Sequence, residues 1–153
     1  MRDTYLNTLY DLAVKDNDVV SMVADNGLIV YDDFRRDFPE RYFNFGISEG
    51  NMVAAAAGMA SCGKIPFIYT ISAFLAYRAY EFIRDDVCFQ NQNVKIVGIG
   101  TGMTYSTLGP THHTTEDIGL LRGLPNLIVF SPATRKELSW IMQETYRIKG
   151  PVY

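Results

Sequence analysis

The sequence predicts an α/β domain of three layers, αβα, with a mostly parallel sheet. Three observations carry this. Short strand-like runs alternate with helical segments, the pattern of crossover connections between parallel strands. Several of those runs are continuously apolar, as expected of strands covered on both faces. The chain has 153 residues and is 48% hydrophobic and 20% charged, enough to close one core and too apolar for a disordered segment.

The elements follow in order. Leu6, Leu9, Tyr10, Ala13 and Val14 recur at helical spacing, which predicts an amphipathic helix over 3–16. Val19–Val23 is a β-branched run that ends at Ala24, Asp25, Asn26 and Gly27, a turn signal. Residues 43–47 read as another short strand. Ser48 follows as an N-cap, and Glu49 falls in the first turn of a helix that continues over 51–61 and stops near Gly63. Ile65–Ile71 is an apolar strand. Residues 74–89 read as a long helix, 94–99 as a strand rich in Val and Ile, and 116–122 as a short helix. Residues 127–130 read as a strand and 133–148 as a helix of mixed character. Residues 150–153, Gly-Pro-Val-Tyr, look like a turn and the first residues of one more strand. The expectation is a single domain over 1–153 that is a fragment of a longer subunit.

Composition narrows the function. Fourteen Lys and Arg against 17 Asp and Glu leave a net charge of −3, which speaks against a nucleic-acid footprint. No apolar run approaches the roughly 20 residues of a membrane span, and residues 1–16 mix charges with apolar residues, unlike a signal peptide. Cys62 and Cys88 lie in apolar patterns far apart. They read as reduced core thiols of a cytoplasmic protein, and two thiols alone make no structural zinc site.

Glu49 is the first candidate for chemistry. A carboxylate in a first helical turn is favoured by the helix dipole, so capping alone explains its type. The helix behind it, Ala54-Ala55-Ala56-Ala57-Gly58-Met59-Ala60, is small on every side. Alanine is the best helix former, but small faces also permit close approach, so this helix is expected at a packed or subunit interface. A carboxyl group withdrawn from water there favours its neutral, proton-donating form. Phe67, Tyr69, Phe74, Tyr77 and Tyr80 cluster around the next strand-to-helix junction. Aromatic clusters are mostly core, yet ligands bind at such junctions in parallel sheets, and an aromatic face stacks on flat heterocycles. His112 and His113 follow Gly109, Pro110 and Thr111 in a long polar loop, which favours a functional loop. With Glu116 and Asp117 they offer four metal ligands, but adjacent histidines diverge by about 100° on a helix, and no distant ligand joins them. No metal site is expected. Gly98, Gly100 and Gly102 form a GxGxG string without the helix and acidic residue of a dinucleotide site, and read as flexibility in the histidine loop.

Residues 46–52, Gly-Ile-Ser-Glu-Gly-Asn-Met, resemble the corresponding stretch of transketolases. So do 67–70, Phe-Ile-Tyr-Thr, with Phe74 and Tyr77; 83–86, Ile-Arg-Asp-Asp; 109–117, Gly-Pro-Thr-His-His-Thr-Thr-Glu-Asp; and 124–133, Leu-Pro-Asn-Leu-Ile-Val-Phe-Ser-Pro-Ala. The likeness spans almost the whole chain, in order. It is similar to the thiamine-diphosphate-binding pyrimidine domain of transketolases and 1-deoxyxylulose-5-phosphate synthases, and the Leu-Gly-Pro-Thr-His-His form at 108–113 resembles the C-terminal subunit of two-chain transketolases. The resemblance implies that Glu49 hydrogen-bonds N1′ of the cofactor aminopyrimidine. That bond favours the imino tautomer, through which the cofactor loses its C2 proton and becomes a carbon nucleophile. It further implies that Phe74 stacks on the pyrimidine with Tyr77 beside it, and that His112 faces the sugar. His113 has no implied role.

The chain departs from the family on the sugar side. An Asp usual four residues before the histidine is Leu108. A second substrate histidine would fall near Gly100 or Thr101, and a phosphate-binding serine near Leu28 or Ile29. The Gly-Asp-Gly motif that holds magnesium and the diphosphate does not occur. The resemblance therefore implies a half-site for ketol transfer between sugar phosphates. A separate Mg²⁺- and diphosphate-binding domain or subunit would complete it, within a homodimer or larger assembly, and the isolated chain would be inert. The alternatives are a synthase joining pyruvate and glyceraldehyde phosphate, and a non-catalytic dimerisation module of the same fold.

Overall fold

The strands are β1 (Val19–Val23), β2 (Tyr42–Asn44), β3 (Ile65–Ile71) and β4 (Lys95–Ile99). A computed structural model, which describes residues 1–26 and 30–153, hydrogen-bonds them in the order β2-β1-β3-β4, every pair parallel. The helices are α1 (Arg2–Lys15), α2 (Asp32–Asp37), α3 (Glu49–Ser61), α4 (Tyr80–Phe82), α5 (Asp117–Leu121) and α6 (Arg135–Arg147). Parallel neighbours need crossovers. α3 carries the chain from the edge strand β2 across β1 to β3, and the helical segment around α4 carries it on to β4.

Alternation along the strands divides the core in two. Val19, Val23, Phe67 and Tyr69 pack with Tyr5, Leu9 and Leu12 of α1, Phe34 of α2 and Met142 of α6. Val20, Met22, Ile68 and Ile96 pack on the opposite face with Met52, Val53 and Ala56 of α3 and with Leu75, Ile83 and Val87. The sheet is thus covered on both faces, which makes the expected three layers. α6 begins in a capping box: Glu137 N donates to Thr134 Oγ1 at 3.1 Å, and Thr134 N donates to Glu137 Oε2 at 3.1 Å.

Three expectations change. The long helix over 74–89 is instead a π turn (Phe74–Arg78), α4 and a second π turn (Ile83–Phe89). A π turn spends one more residue per turn than an α turn, which rotates the buried face, and Leu75, Ala76, Ala79, Ile83, Val87 and Cys88 all end in the core. The segment 127–130 is extended but bridges only through Ile128 to Val152. Val152 also bridges Lys95 in parallel, so 151–153 lie between β4 and that segment, as the reading of one more strand anticipates. Finally, the paired core-thiol reading holds for Cys88, which is buried, and fails for Cys62, which is exposed. Cys62 caps α3 beyond its last turn, where the chain leaves the helix at Gly63 (φ +88°) and turns toward β3.

One charged side chain is built into the sheet. Lys95 is fully buried, and its Nζ donates to the carbonyls of Ile148 at 2.7 Å and Gly150 at 2.9 Å. Among the described residues no helix is long and apolar enough to cross a membrane.

Candidate active site

The site forms where the start of α3 meets the segment after β3. Asn44, at the end of β2, accepts from Asp25 N at 3.0 Å and Gly46 N at 2.9 Å. This ties the end of β1 to the loop that launches α3. Glu49 is then the first residue of the helix and is 1% exposed. Ser48 stands at the N-cap position, but its side chain makes no capping bond. Gly50 lets the Phe82 ring lie close to α3: a Cβ there would stand 2.8 Å from that ring and force it to shift. That contact brings the two segments together.

Arg78 closes the gap between them. Its Nη1 donates to Glu49 Oε2 at 2.8 Å, and its guanidinium carbon lies 4.8 Å from the centroid of the Phe74 ring. The Arg78 side chain is half exposed while Glu49 is buried. The ion pair therefore compensates a charge that burial would leave costly. Phe74 and Arg78 open and close one π turn, and π turns recur at functional sites. The edge of the same aromatic group meets His112, ring centroids 5.1 Å apart and planes at 70°. Tyr105 flanks His112 on a T-shaped contact at 6.1 Å.

The loop that carries His112 is pinned at both ends. Gly102 and Thr114 exchange backbone hydrogen bonds of 2.7 and 2.8 Å, and Ser72 Oγ donates to Thr114 Oγ1 at 2.8 Å just beyond β3. Gly100 and Gly102 both take positive φ (+70° and +65°), a conformation that glycine adopts without a steric penalty. Thr111 Oγ1 and His112 Nδ1 lie 3.0 Å apart. His113 turns inward, and its Nε2 is buried without a partner among the described residues.

The structure thus brings Glu49, Phe74 and His112 together: Arg78 links Glu49 to Phe74, and His112 packs against Phe74. Tyr77 behaves differently. Its hydroxyl donates to the Glu116 carboxylate and it is 38% exposed. Burial and the Glu116 carboxylate both push the Tyr77 phenol above its ordinary range, and that phenol in turn holds Glu116 low. Leu108 is exposed on a 3₁₀ turn, and the expected serine position near Leu28 and Ile29 lies outside the described residues. Sequence reasoning misses Arg78. Its helical position and charge read as an ordinary solvated face, and only its approach to Glu49 distinguishes it.

Where β1 and β3 part, Asn26 Nδ2 donates to Thr70 Oγ1 at 2.8 Å, and Asn26 Oδ1 is buried without a partner among the described residues. The loops after these strands lead apart in the sheet order β2-β1-β3-β4. Crevices of this kind are where parallel α/β sheets bind ligands. Among the described residues no three His, Cys, Asp or Glu side chains converge as a metal site.

The arrangement suits a flat, nitrogen-rich heterocycle: a buried carboxyl group for a ring nitrogen, an aromatic face for stacking and an imidazole at the rim. The transketolase pyrimidine-binding domain model matches residues 1–153. One subunit of an apulose-4-phosphate transketolase from Actinobacillus succinogenes is 39% identical over 92% of this chain and 46% of its own length. A 1-deoxy-D-xylulose-5-phosphate synthase from Syntrophomonas wolfei is 40% identical over 92% of this chain and 22% of its own. A solved split-gene transketolase, described as an inactive beta4 tetramer, superposes with a TM-score of 0.88 at 38% identity, over 99% of this chain and 49% of that one. The chain spans about half the length of the transketolase subunits it matches. A likeness that runs from the first residue to the last, in sequence and in fold, means that the chain belongs to the transketolase family as its pyrimidine-binding domain.

Proposed function

We propose that this chain is the pyrimidine half-site of a thiamine-diphosphate-dependent enzyme that transfers a ketol unit between sugar phosphates. One observation carries the reading: a planar, N–H-donating cation already bridges buried Glu49 and the Phe74 ring. The guanidinium thus tests the fit of an aminopyrimidine, which needs the same carboxylate contact and the same aromatic support. When bound, the cofactor would supply a carbon nucleophile able to attack a ketose carbonyl. Glu49, 1% exposed at the start of α3, would hold the proton at the ring nitrogen N1′. Phe74 would fix the plane of the heterocycle, with Tyr77 beside it as the outer wall. His112 would exchange protons with substrate hydroxyls. Its Nδ1 is engaged by Thr111, which leaves Nε2 to face the sugar.

The chain has no Gly-Asp-Gly sequence, and in this reading a second subunit or domain would hold the Mg²⁺ and the diphosphate. Self-association belongs to it as well. Ala55, Gly58, Met59 and Cys62 of the α3 face line an open groove against Phe38 and Phe43, and a second copy would cover these small side chains. Two free thiols suit a reducing compartment, the cytoplasm.

The test is Glu49→Gln in the complete enzyme. The substitution keeps shape and removes the acidic proton. Turnover should fall at least about 100-fold, the low end of acid–base contributions, with the far-ultraviolet circular dichroism unchanged. Near-normal turnover refutes the role of Glu49.

A further inference from the structure

We propose that Arg78 is an internal occupant of the pyrimidine slot that the cofactor must displace to bind. This rests on the assignment of Glu49 and Phe74 to the cofactor. The guanidinium takes Oε2 of Glu49 at 2.8 Å and covers the Phe74 ring at 4.8 Å. These are the two groups that the aminopyrimidine needs. Arginine mimics such a ring well, because its guanidinium is planar, stacks on aromatics and donates along its edge. The slot therefore keeps its charge balanced in both states. Without cofactor Arg78 neutralises the buried Glu49 carboxylate; with cofactor, one proton taken up from water as the guanidinium leaves is shared between Glu49 and the ring nitrogen N1′ and keeps the slot neutral.

The arrangement also favours release. The Arg78 side chain is 52% exposed against 1% for Glu49. Its head returns to water at little desolvation cost, whereas Glu49 stays where it is. Arg78 closes a π turn and is followed by Ala79 at φ −99°, ψ 12°, off the helical values. The chain breaks regular helix just where the guanidinium has to swing. An occupied slot lowers apparent affinity by the fraction of molecules in which it is open. A charge-assisted hydrogen bond with a stacked cation suffices to keep about nine molecules in ten closed. Removing the guanidinium should then tighten cofactor binding about tenfold.

The experiment measures the Kd of thiamine diphosphate, with Mg²⁺, on the enzyme assembled from this chain and its diphosphate-binding partner. Wild type is compared with Arg78→Met, Arg78→Lys and Glu49→Gln. Arg78→Met should tighten binding about tenfold. Arg78→Lys, which keeps the charge but loses the planar stack, should fall between, and it carries the test if the methionine variant does not fold. Inorganic pyrophosphate, which has no pyrimidine, should gain nothing from either change. A Kd unchanged or weakened in both arginine variants overturns the proposal, as does an equal gain for pyrophosphate. Glu49→Gln separates the two levels. If it lowers turnover while the arginine variants leave the Kd unchanged, the slot assignment survives and the displacement is wrong. If Glu49→Gln alters neither turnover nor Kd, the slot assignment itself is wrong, and the displacement falls with it.

Discussion

Replacing Lys95 by methionine removes an ammonium that is fully buried beneath the 148–153 return of the chain. Burial pulls the Lys95 ammonium down from 10.5 to about 7. In the unfolded chain the group keeps its proton up to about 10.5. Between those two values the unfolded state binds more protons, so raising the pH stabilises the folded state. Well below pH 7 both states are protonated and the slope vanishes. Each pH unit inside the window is worth at most about 1.4 kcal/mol, a ceiling near 5 kcal/mol across the whole of it. The carbonyls of Ile148 and Gly150 hold the charged form and work against burial, which keeps the gain below that ceiling. Lys95→Met has no such proton. Urea unfolding of both proteins at pH 6, 7, 8 and 9 measures the difference in stability. Relative to the methionine variant, wild type should gain about 2 kcal/mol between pH 7 and 9 and only about 0.3 kcal/mol between pH 6 and 7. Tyrosines and Cys88 titrate alike in both proteins and cancel. A difference that stays flat or falls from pH 7 to 9 refutes the reasoning.

His112→Ala should lower turnover by about 100-fold or more while changing cofactor Kd only slightly, since His112 is assigned to the sugar. Loss of cofactor binding with full turnover at saturating cofactor contradicts that placement. Gly98→Ala would set a Cβ 2.5 Å from Tyr153 Oη and 3.0 Å from Ser72 Cβ. Tyr153 cannot swing away freely, because its hydroxyl donates to Asp117 Oδ2 at 2.7 Å. Overpacking of this kind costs about 1–3 kcal/mol, and a thermal melt should register it as a clear drop in Tm; an unchanged Tm would mean that the 151–153 segment yields.

Regular elements are legible because their signals are local. The β-branched run Val19–Val23 and the apolar run Ile65–Ile71 form strands with those bounds, and Glu49 opens its helix as its position after Ser48 predicts. What the sequence hides depends on distant contacts. A period of 3.6 cannot be told from a π turn over five residues, so Phe74–Arg78 reads as ordinary helix. The 127–130 segment is apolar enough for a strand, but its partner is three residues far along the chain. Cys62 sits in an apolar pattern whose last turn happens to face water. In the site, Glu49, Phe74 and His112 are legible as motif residues, and their mutual approach is not. Arg78 leaves no signal, because its function as a counter-charge comes from the crossing of α3 and the segment after β3. Lys95 does leave one: a lone lysine in an otherwise apolar strand, followed by Ile-Val-Gly-Ile.

The central proposal is a division of labour, in which this chain supplies the pyrimidine slot and a second subunit or domain supplies the diphosphate anchor. Calorimetric titration of thiamine diphosphate with Mg²⁺ tests it most directly, first into the chain alone and then into the chain mixed with its diphosphate-binding partner. Losing a charged, metal-bridged anchor removes several kcal/mol, and each 1.4 kcal/mol is about tenfold in affinity. Binding should be weak or undetectable with the chain alone and tight with the mixture. Tight binding to the chain alone, or ketol transfer without a partner, would contradict the division.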